Sequence, residues 1–166
     1  MILQLDLGIK CKMLSTETKV NKQRIELKKL VTQLYEAFAP YASEDSLEFC
    51  LACYTAEQID VLRSLPVSKI DTKLARKLLW EAKDHWVSSS VYKRFLPRIL
   101  EVMSPPELEE DLFPMHLIEV FQQLGFVSWP DKEKMAVSQF LKYVAPLVYQ
   151  DADDYTEFKE GLSLLK

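Results

Sequence analysis

The sequence predicts an all-α fold: a single-domain helical bundle or a short stack of antiparallel helical pairs. About seven helical segments are expected over residues 21–166, after a lead over residues 1–20. Apolar residues recur three and four positions apart along most of the chain, which is the spacing of one helix face. Only three of the 166 residues are glycine, whereas hairpin-rich β folds need tight turns with positive φ. Short connections between the apolar segments place neighbouring helices antiparallel.

The N-terminal segment carries the one alternation of apolar residues that would suit a strand. Apolar side chains occupy every second position from residue 3 to residue 9. Residues 2–9 are therefore interpreted as a short strand or as an apolar lead that packs on the helices. Residues 10–21 are polar and predicted to be loose. The first helix is predicted over residues 21–39, where Pro40 stops it.

Capping residues define the next two helices. Thr55 is followed three positions later by Gln58, which is the pattern of a capping box, and Pro66 ends this short helix. Asp71 is predicted to cap a longer helix that runs to about residue 86.

Further start and stop signals follow in the C-terminal half. A helix is predicted over residues 89–103, and Pro97 inside it should introduce a bend. Ser-Pro-Pro-Glu at residues 104–107 is a start signal that leads to a helix over about residues 114–124, which Gly125 stops. The last two helices are predicted to begin near Asp131 and Tyr155.

The composition is that of an ordinary globular domain, with 48% hydrophobic and 28% charged residues. No apolar stretch approaches the roughly 18 to 20 residues that span a bilayer. The N-terminus lacks the basic start of a secretory signal. Three cysteines without an export signal favour free thiols in a reducing compartment. We therefore expect a cytoplasmic location and no membrane partner.

The net charge of −4 hides an asymmetry along the chain. Residues 63–98 hold nine Lys or Arg and three Asp or Glu, a charge of +6, whereas residues 99–166 hold five and thirteen, a charge of −8. One interpretation is a solvated face on each helix. The other is a bipolar surface that steers a charged partner.

A Cys-x-x-Cys, formed by Cys50 and Cys53, stands where a helix is predicted to begin. Thioredoxin-type redox chemistry uses this spacing at a helix N-terminus, where the dipole stabilises a thiolate. The βαβ context of that chemistry is missing here, and the intervening Leu51 and Ala52 do not form the usual turn. Both thiols are therefore expected to be structural, as small apolar side chains packed beside Phe49 and Tyr54.

Other candidate ligands and bases are scattered. Zinc needs four ligands, and the side chains available beyond the cysteine pair are Cys11, His85 and His116, far apart in sequence. His85 lies at the edge of an apolar stripe and is expected to be a hydrogen-bonded core residue. No P-loop, serine-hydrolase elbow or H-E-x-x-H motif occurs. We therefore predict no catalytic residue, no metal and no cofactor.

Trp80 is the single residue that most suggests a binding surface. On a helical wheel it lies opposite the apolar face of its helix, among Lys73, Arg76, Lys77 and Lys83. An aromatic ring within a basic face can anchor a partner. The alternative is a central helix that buries two faces, with Trp80 packed against a neighbour.

Several of these motifs occur in an order that resembles a known family. Phe49-Cys50-x-x-Cys53 is followed by Leu65-Pro66, Phe95-Leu96-Pro97-Arg98 and Trp129-Pro130. Over about residues 49–148 this order is similar to a family of small bacterial all-helical proteins of uncharacterised function. The resemblance implies an intracellular bacterial protein and carries no catalytic assignment. Because small acidic helical proteins often neighbour toxin genes, it also suggests an immunity role by analogy.

Three hypotheses for function follow. The preferred one is a non-enzymatic protein-binding module, an immunity or antitoxin-like neutraliser of a bacterial toxin, whose partner is an unidentified protein. The alternative is a small thiol- or metal-dependent enzyme that uses Cys50 and Cys53. The third is a nucleic-acid-binding regulator that uses the basic residues 63–98, which the overall acidity of the chain disfavours.

Overall fold

The computed structural model confirms the all-α class. It describes the backbone of residues 3–43, 49–85, 89–104, 115–149 and 152–163, with side chains over 20–43, 49–81, 89–104, 116–149, 153 and 155–163. Within these ranges there are seven α-helices and no strand. The helices are α1 (Leu3–Phe38), α2 (Ala56–Ser64), α3 (Thr72–His85), α4 (Ser89–Val102), α5 (Met115–Gln123), α6 (Asp131–Val148) and α7 (Ala152–Ser163).

Helix α1 begins at Leu3 and continues for 36 residues. The strand alternative for residues 2–9 and the predicted loose stretch over residues 10–21 are therefore wrong. The physical reason is that no proline precedes Pro40, so nothing interrupts the ladder of i to i−4 hydrogen bonds. The short period-two alternation was too brief to outweigh that continuity. The assignment of residues 1–20 to a separate lead stays a prediction.

The predicted capping residues begin their helices as expected. Thr55 Oγ1 accepts a hydrogen bond from the Gln58 backbone N–H at 3.3 Å, and the Gln58 side chain accepts one from the Thr55 backbone at 3.2 Å. Both halves of the capping box are thus present at α2. Asp71 Oδ1 accepts from the Leu74 backbone N–H at 2.9 Å and caps α3 in the same way.

Helix α4 is the central helix of the molecule. It contacts both α1 and α3, and every residue from 91 to 97 is buried, including Pro97. Lys93 and Arg94 are part of this buried run. The expectation of a solvated basic face on each helix is therefore wrong for α4, because this helix packs on more than one side.

The C-terminal helices complete a shared core. Gly125 has φ of 67° and ends α5 in the left-handed conformation, which confirms the predicted stop. Helix α6 then runs along α1. The start signal at residues 104–107 reaches beyond the described residues. Each helix contributes a buried side chain to one contiguous core: Leu34, Leu62, Leu78, Phe95, Phe121, Phe140 and Phe158.

None of the helices in the described ranges has both the length and the hydropathy that a membrane crossing requires.

Candidate functional site

A buried ion pair lies at the centre of the bundle. Lys93 Nζ of α4 is 2.8 Å from Glu133 Oε2 of α6, and the two side chains are only 7% and 5% exposed. The Tyr41 hydroxyl donates to Glu133 Oε1 at 2.8 Å and accepts from Lys93 Nζ at 3.2 Å. Lys93 Nζ also lies 4.4 Å from the ring centroid of Trp129. This cluster joins three distant parts of the chain, and its deep burial suits a structural role.

A second polar contact fixes the other side of α4. Arg98 Nε donates to the Ile70 carbonyl at 2.8 Å, and Arg98 Nη1 donates to Glu101 Oε2 at 2.9 Å. The Tyr35 hydroxyl donates to the same carboxylate oxygen at 2.8 Å. Burial, assisted by this hydrogen bond, raises the pKa of Tyr35. Arg98 therefore ties α4 to the turn before α3 and is occupied within the fold.

Trp80 of α3 is half-exposed, at 48%. Its ring stacks on His116 of α5, with the ring centroids 4.8 Å apart and the planes tilted by 36°. His116 Nε2 donates to the Leu79 carbonyl at 3.1 Å, which assigns the proton to Nε2 and fixes the orientation of the imidazole. Trp80 is thus neither free nor buried. One part of its ring is held by α5, and the rest faces solvent.

The basic residues around Trp80 differ in their accessibility. Lys73 is exposed and Arg76 is half-buried. Lys77 is turned away, because its Nζ donates to the Cys53 carbonyl and, at 3.3 Å, to Gln58 Oε1. The side chains of Lys83 and His85 lie outside the described residues.

The Cys50 and Cys53 side chains lie in a turn directly before α2, near the helix start that the sequence predicted. The Cys50 carbonyl accepts from the backbone N–H of Cys53 at 3.0 Å and of Tyr54 at 3.1 Å. The Cys53 thiol donates to Cys50 Sγ at 3.1 Å. Both side chains are half-buried free thiols, and Cys53 packs against the core. The turn brings two sulfur atoms into direct contact.

Aromatic packing holds this turn in place. Tyr54 is buried, and its ring lies 5.6 Å from that of Phe49. Phe49 in turn lies 6.2 Å from Phe95 of the central helix. Lys77 Nζ approaches the Tyr54 ring to 4.8 Å from its centroid. The residues on either side of the thiol pair are therefore anchored to the core.

The two thiols differ in their acidity. The hydrogen bond from Cys53, together with the backbone N–H groups of Ala52 and Cys53, lowers the pKa of the Cys50 thiol. Donating to Cys50 raises the pKa of Cys53 to about 12, with burial as the next cause. The Glu81 carboxylate of α3 lies beside Cys53 and raises its pKa further. The pair can therefore hold one thiolate and one thiol side by side.

Sequence reasoning missed Glu81 and the role of Lys77. The two residues are four positions apart on α3, so they share one face of the helix. That spacing was visible, but nothing in the sequence showed that this face packs against the cysteine turn. Within the described residues, no three His, Cys, Asp or Glu side chains converge on a common point where a metal ion could bind.

One apolar cavity of about 390 Å³ lies between α6 and α7. Its walls include Phe126, Leu141 and Phe158, and Lys142 and Lys159 lie at its margin. The lining offers no nucleophile paired with a base, so the cavity suggests no chemistry of its own.

Comparison of the chain with protein-family models, with curated proteins and with solved structures gives no match. The resemblance to small bacterial helical proteins stays a prediction.

Proposed function

We propose that this protein is a protein-binding module whose docking surface is the exposed part of the α3–α5 seam, centred on Trp80. The observation that carries the proposal is the ring of Trp80, which is half-exposed and yet held in place by His116. Aromatic side chains in such positions supply a large share of the binding energy in many interfaces.

Because the Trp80 ring is already held in place, a partner loses less free energy in ordering it on binding. A partner that covers a mobile side chain must immobilise it, which costs about 0.5–1.5 kcal/mol for a side chain with many rotamers. Trp80 is already restrained by the stacked imidazole, whose own orientation is set by the Leu79 carbonyl. Most of the ordering has thus occurred when the protein folds.

The charge around the ring favours an acidic protein segment as partner. Lys73 lies about 20° from Trp80 around the helix axis and Arg76 about 40°, since each residue turns the helix by about 100°. Lys73 is exposed. A segment with carboxylates beside an apolar anchor would complement both the ring and its basic surroundings.

The test compares Trp80→Ala with Met135→Ala, a control on α6 whose side chain is 57% exposed. The partner is captured from the native host by the wild-type chain, identified, purified and titrated. We expect Trp80→Ala to weaken binding about 30-fold, or about 2 kcal/mol, and Met135→Ala to leave it unchanged. Because the ring is only partly packed, Trp80→Ala should lower the free energy of unfolding by about 1 kcal/mol.

Two results would contradict this proposal. A loss of 3–5 kcal/mol in Trp80→Ala, the range of a buried aromatic residue, would make Trp80 a core residue. Salt-dependent binding of a duplex DNA probe, abolished by Lys73→Glu, would instead support the nucleic-acid hypothesis.

The narrower roles remain part of the proposal. We infer a bacterial cytoplasmic protein, supported by the pair of free thiols and by the resemblance described above. An immunity or antitoxin-like neutraliser would bind a toxin encoded near its own gene. Identification of the captured partner as such a toxin, and its inhibition on binding, is the corresponding test.

A further inference from the structure

We propose that Cys50 and Cys53 form a redox-active dithiol that reduces disulfides by thiol–disulfide exchange, with Cys50 as nucleophile, Cys53 as resolving thiol and Glu81 as acceptor of its proton. This activity is independent of docking at Trp80. It revises the expectation that the pair is purely structural.

Geometry is the first argument. The two sulfur atoms are 3.1 Å apart, so a small movement suffices to form the bond between them. The turn that carries them is fixed at both ends, by Phe49 on one side and by the capping box that begins at Thr55 on the other. Bond formation therefore requires no rearrangement of the neighbouring helices.

Access is the second argument. Both thiols are half-exposed, and the residues between them face solvent. Leu51 is 83% exposed, the most exposed large apolar side chain in the described part of the chain. A disulfide can reach the sulfur of Cys50 across this rim, and an apolar substrate segment could rest on Leu51. Two thiols that served only to fill the core would lie deeper.

The difference between the pKa values of the two thiols gives the two cysteines different roles. The thiolate is the nucleophile in exchange, and the lowered pKa of Cys50 makes it the thiol that ionises first. The raised pKa of Cys53, about 12, keeps this thiol protonated. Its proton stabilises the Cys50 thiolate until a substrate arrives.

The reaction balances without a further reagent. The Cys50 thiol first loses its proton to solvent, and the thiolate attacks one sulfur of a disulfide, RS–SR′, so a Cys50 S–SR bond forms while R′S⁻ leaves. Cys53 then transfers its proton to Glu81 and attacks Cys50 Sγ, and RS⁻ leaves. The substrate gains two electrons and the protein loses two as its disulfide forms. The proton that Cys50 lost to solvent and the proton that Glu81 accepted from Cys53 convert the two leaving thiolates to thiols.

Glu81 is suited to the second step. Its carboxylate lies beside Cys53, on the same face of α3 as Lys77, which holds the Cys53 carbonyl. Once Cys50 has become part of a mixed disulfide it no longer accepts the Cys53 proton, and Glu81 is then the adjacent acceptor. Glu81 thus accepts the proton of Cys53, which is the thiol that attacks in the second step.

The first experiment titrates the full-length reduced chain with mixtures of oxidised and reduced glutathione. Tryptic cleavage after Lys29 and Arg63 leaves both cysteines on one peptide and Cys11 on another. We expect that peptide to lose two hydrogens reversibly, with a midpoint within the titration. Absence of this disulfide at every ratio would overturn the proposal, as would stoichiometric zinc on the purified chain that blocks exchange.

Variants test the order of events. Cys53→Ser should accumulate a mixed disulfide with glutathione on Cys50, whereas Cys50→Ser should not form one on Cys53. Glu81→Gln should retain alkylation of Cys50 but slow resolution of the mixed disulfide about tenfold. Asp60→Asn, an exposed carboxylate of α2, is the control and should leave both rates unchanged. Equal alkylation rates for Cys50 and Cys53 would overturn the assigned roles.

A last comparison identifies the source of the disulfide. Oxidised glutathione and insulin serve as the low-molecular-weight and protein probes. Faster reduction of insulin, lost in Leu51→Asp, assigns protein disulfides as substrates. Faster reduction of oxidised glutathione, unaffected by Leu51→Asp, assigns small disulfides. Reduction of neither probe overturns the proposal.

Discussion

Lys93 carries its charge in the interior of the protein, where few lysines are found. Its ammonium group is enclosed by Glu133, by the Tyr41 hydroxyl and by the face of the Trp129 ring. Removing such a group from water is expensive, and the compensation comes from the close approach of the two charges and from the Tyr41 hydroxyl, which hydrogen-bonds to both partners. Each partner is therefore far more important to stability than a surface charge would be.

Glu133→Ala should lower the free energy of unfolding by about 3–5 kcal/mol, because it leaves Lys93 buried without a counter-charge. Urea denaturation measures the change. The matched control is Lys134→Ala, which breaks the pair with Asp131 on the same helix. That pair spans 3.0 Å, and Asp131 is almost fully exposed, so the control should stay within about 1 kcal/mol of wild type.

The double variant Lys93→Met with Glu133→Leu separates two explanations of such a loss. If the uncompensated charge is responsible, replacing both partners by apolar side chains should restore most of the stability. A double variant as unstable as Glu133→Ala would show that the cluster contributes by its hydrogen bonds instead. A loss below about 1 kcal/mol in Glu133→Ala would contradict the buried-pair argument altogether.

At the scale of elements, the sequence predicted most helices because their ends carry local signals. Thr55, Asp71 and Gly125 each act within three or four residues of their own position, so their effect could be read without the fold. Helix α1 was only partly predicted. The alternation over residues 2–9 suggested a strand, whereas the absence of proline determined the outcome.

Helix α4 shows what the sequence could not reveal. Its lysine and arginines suggested a solvated face, and three of them are instead used within the fold: Lys93 is paired, Arg94 is buried and Arg98 holds the Ile70 carbonyl. Their partners lie far away in the chain, so no local pattern identifies them.

The candidate site, too, could be predicted only in part from the sequence. Cys50, Cys53 and Trp80 were identified by residue type and spacing. The position of Glu81 beside Cys53, where it raises the pKa of that thiol further, and the stacking of His116 on Trp80 were not. Both act across contacts between elements, and such contacts depend on how the helices pack.

At the scale of the whole molecule, part of the charge asymmetry along the chain lies in the interior of the protein and not on its surface. The middle segment carries +6 and the C-terminal third −8, but part of this difference is neutralised inside the core by Lys93 and Glu133. The two segments thus attract one another in the folded chain. A bipolar outer surface is correspondingly weaker than the sequence suggests.

Stability should fall in alkaline solution. Burial, as the largest cause, raises the pKa of five tyrosines: Tyr35, Tyr41, Tyr54, Tyr92 and Tyr143. A raised pKa in the folded state contributes stability that is fully present below the unfolded value of about 10 and is lost as the pH rises toward the folded value. Urea denaturation at increasing pH should therefore show a declining free energy of unfolding above about pH 10.

Tyr92→Phe tests the cause of this decline. It removes the most deeply buried of the five phenols, so the free energy of unfolding should fall less steeply with pH in the variant. An identical slope in wild type and variant would show that other groups govern the alkaline transition.

The buried pair also has a consequence for the timing of folding during synthesis. Lys93 leaves the ribosome forty residues before Glu133, as their numbers show (133 − 93). Chains begin to fold from the N-terminus as they are made, yet α4 can bury its ammonium group only when α6 brings the carboxylate. Ribosome-bound chains that end at Gly125 should be cleaved readily by protease, and Lys93→Met should protect them. Equal cleavage of both would contradict this. Lys93 is thus synthesised before Glu133, and its ammonium group must stay in contact with water until α6 has been made and supplies the carboxylate.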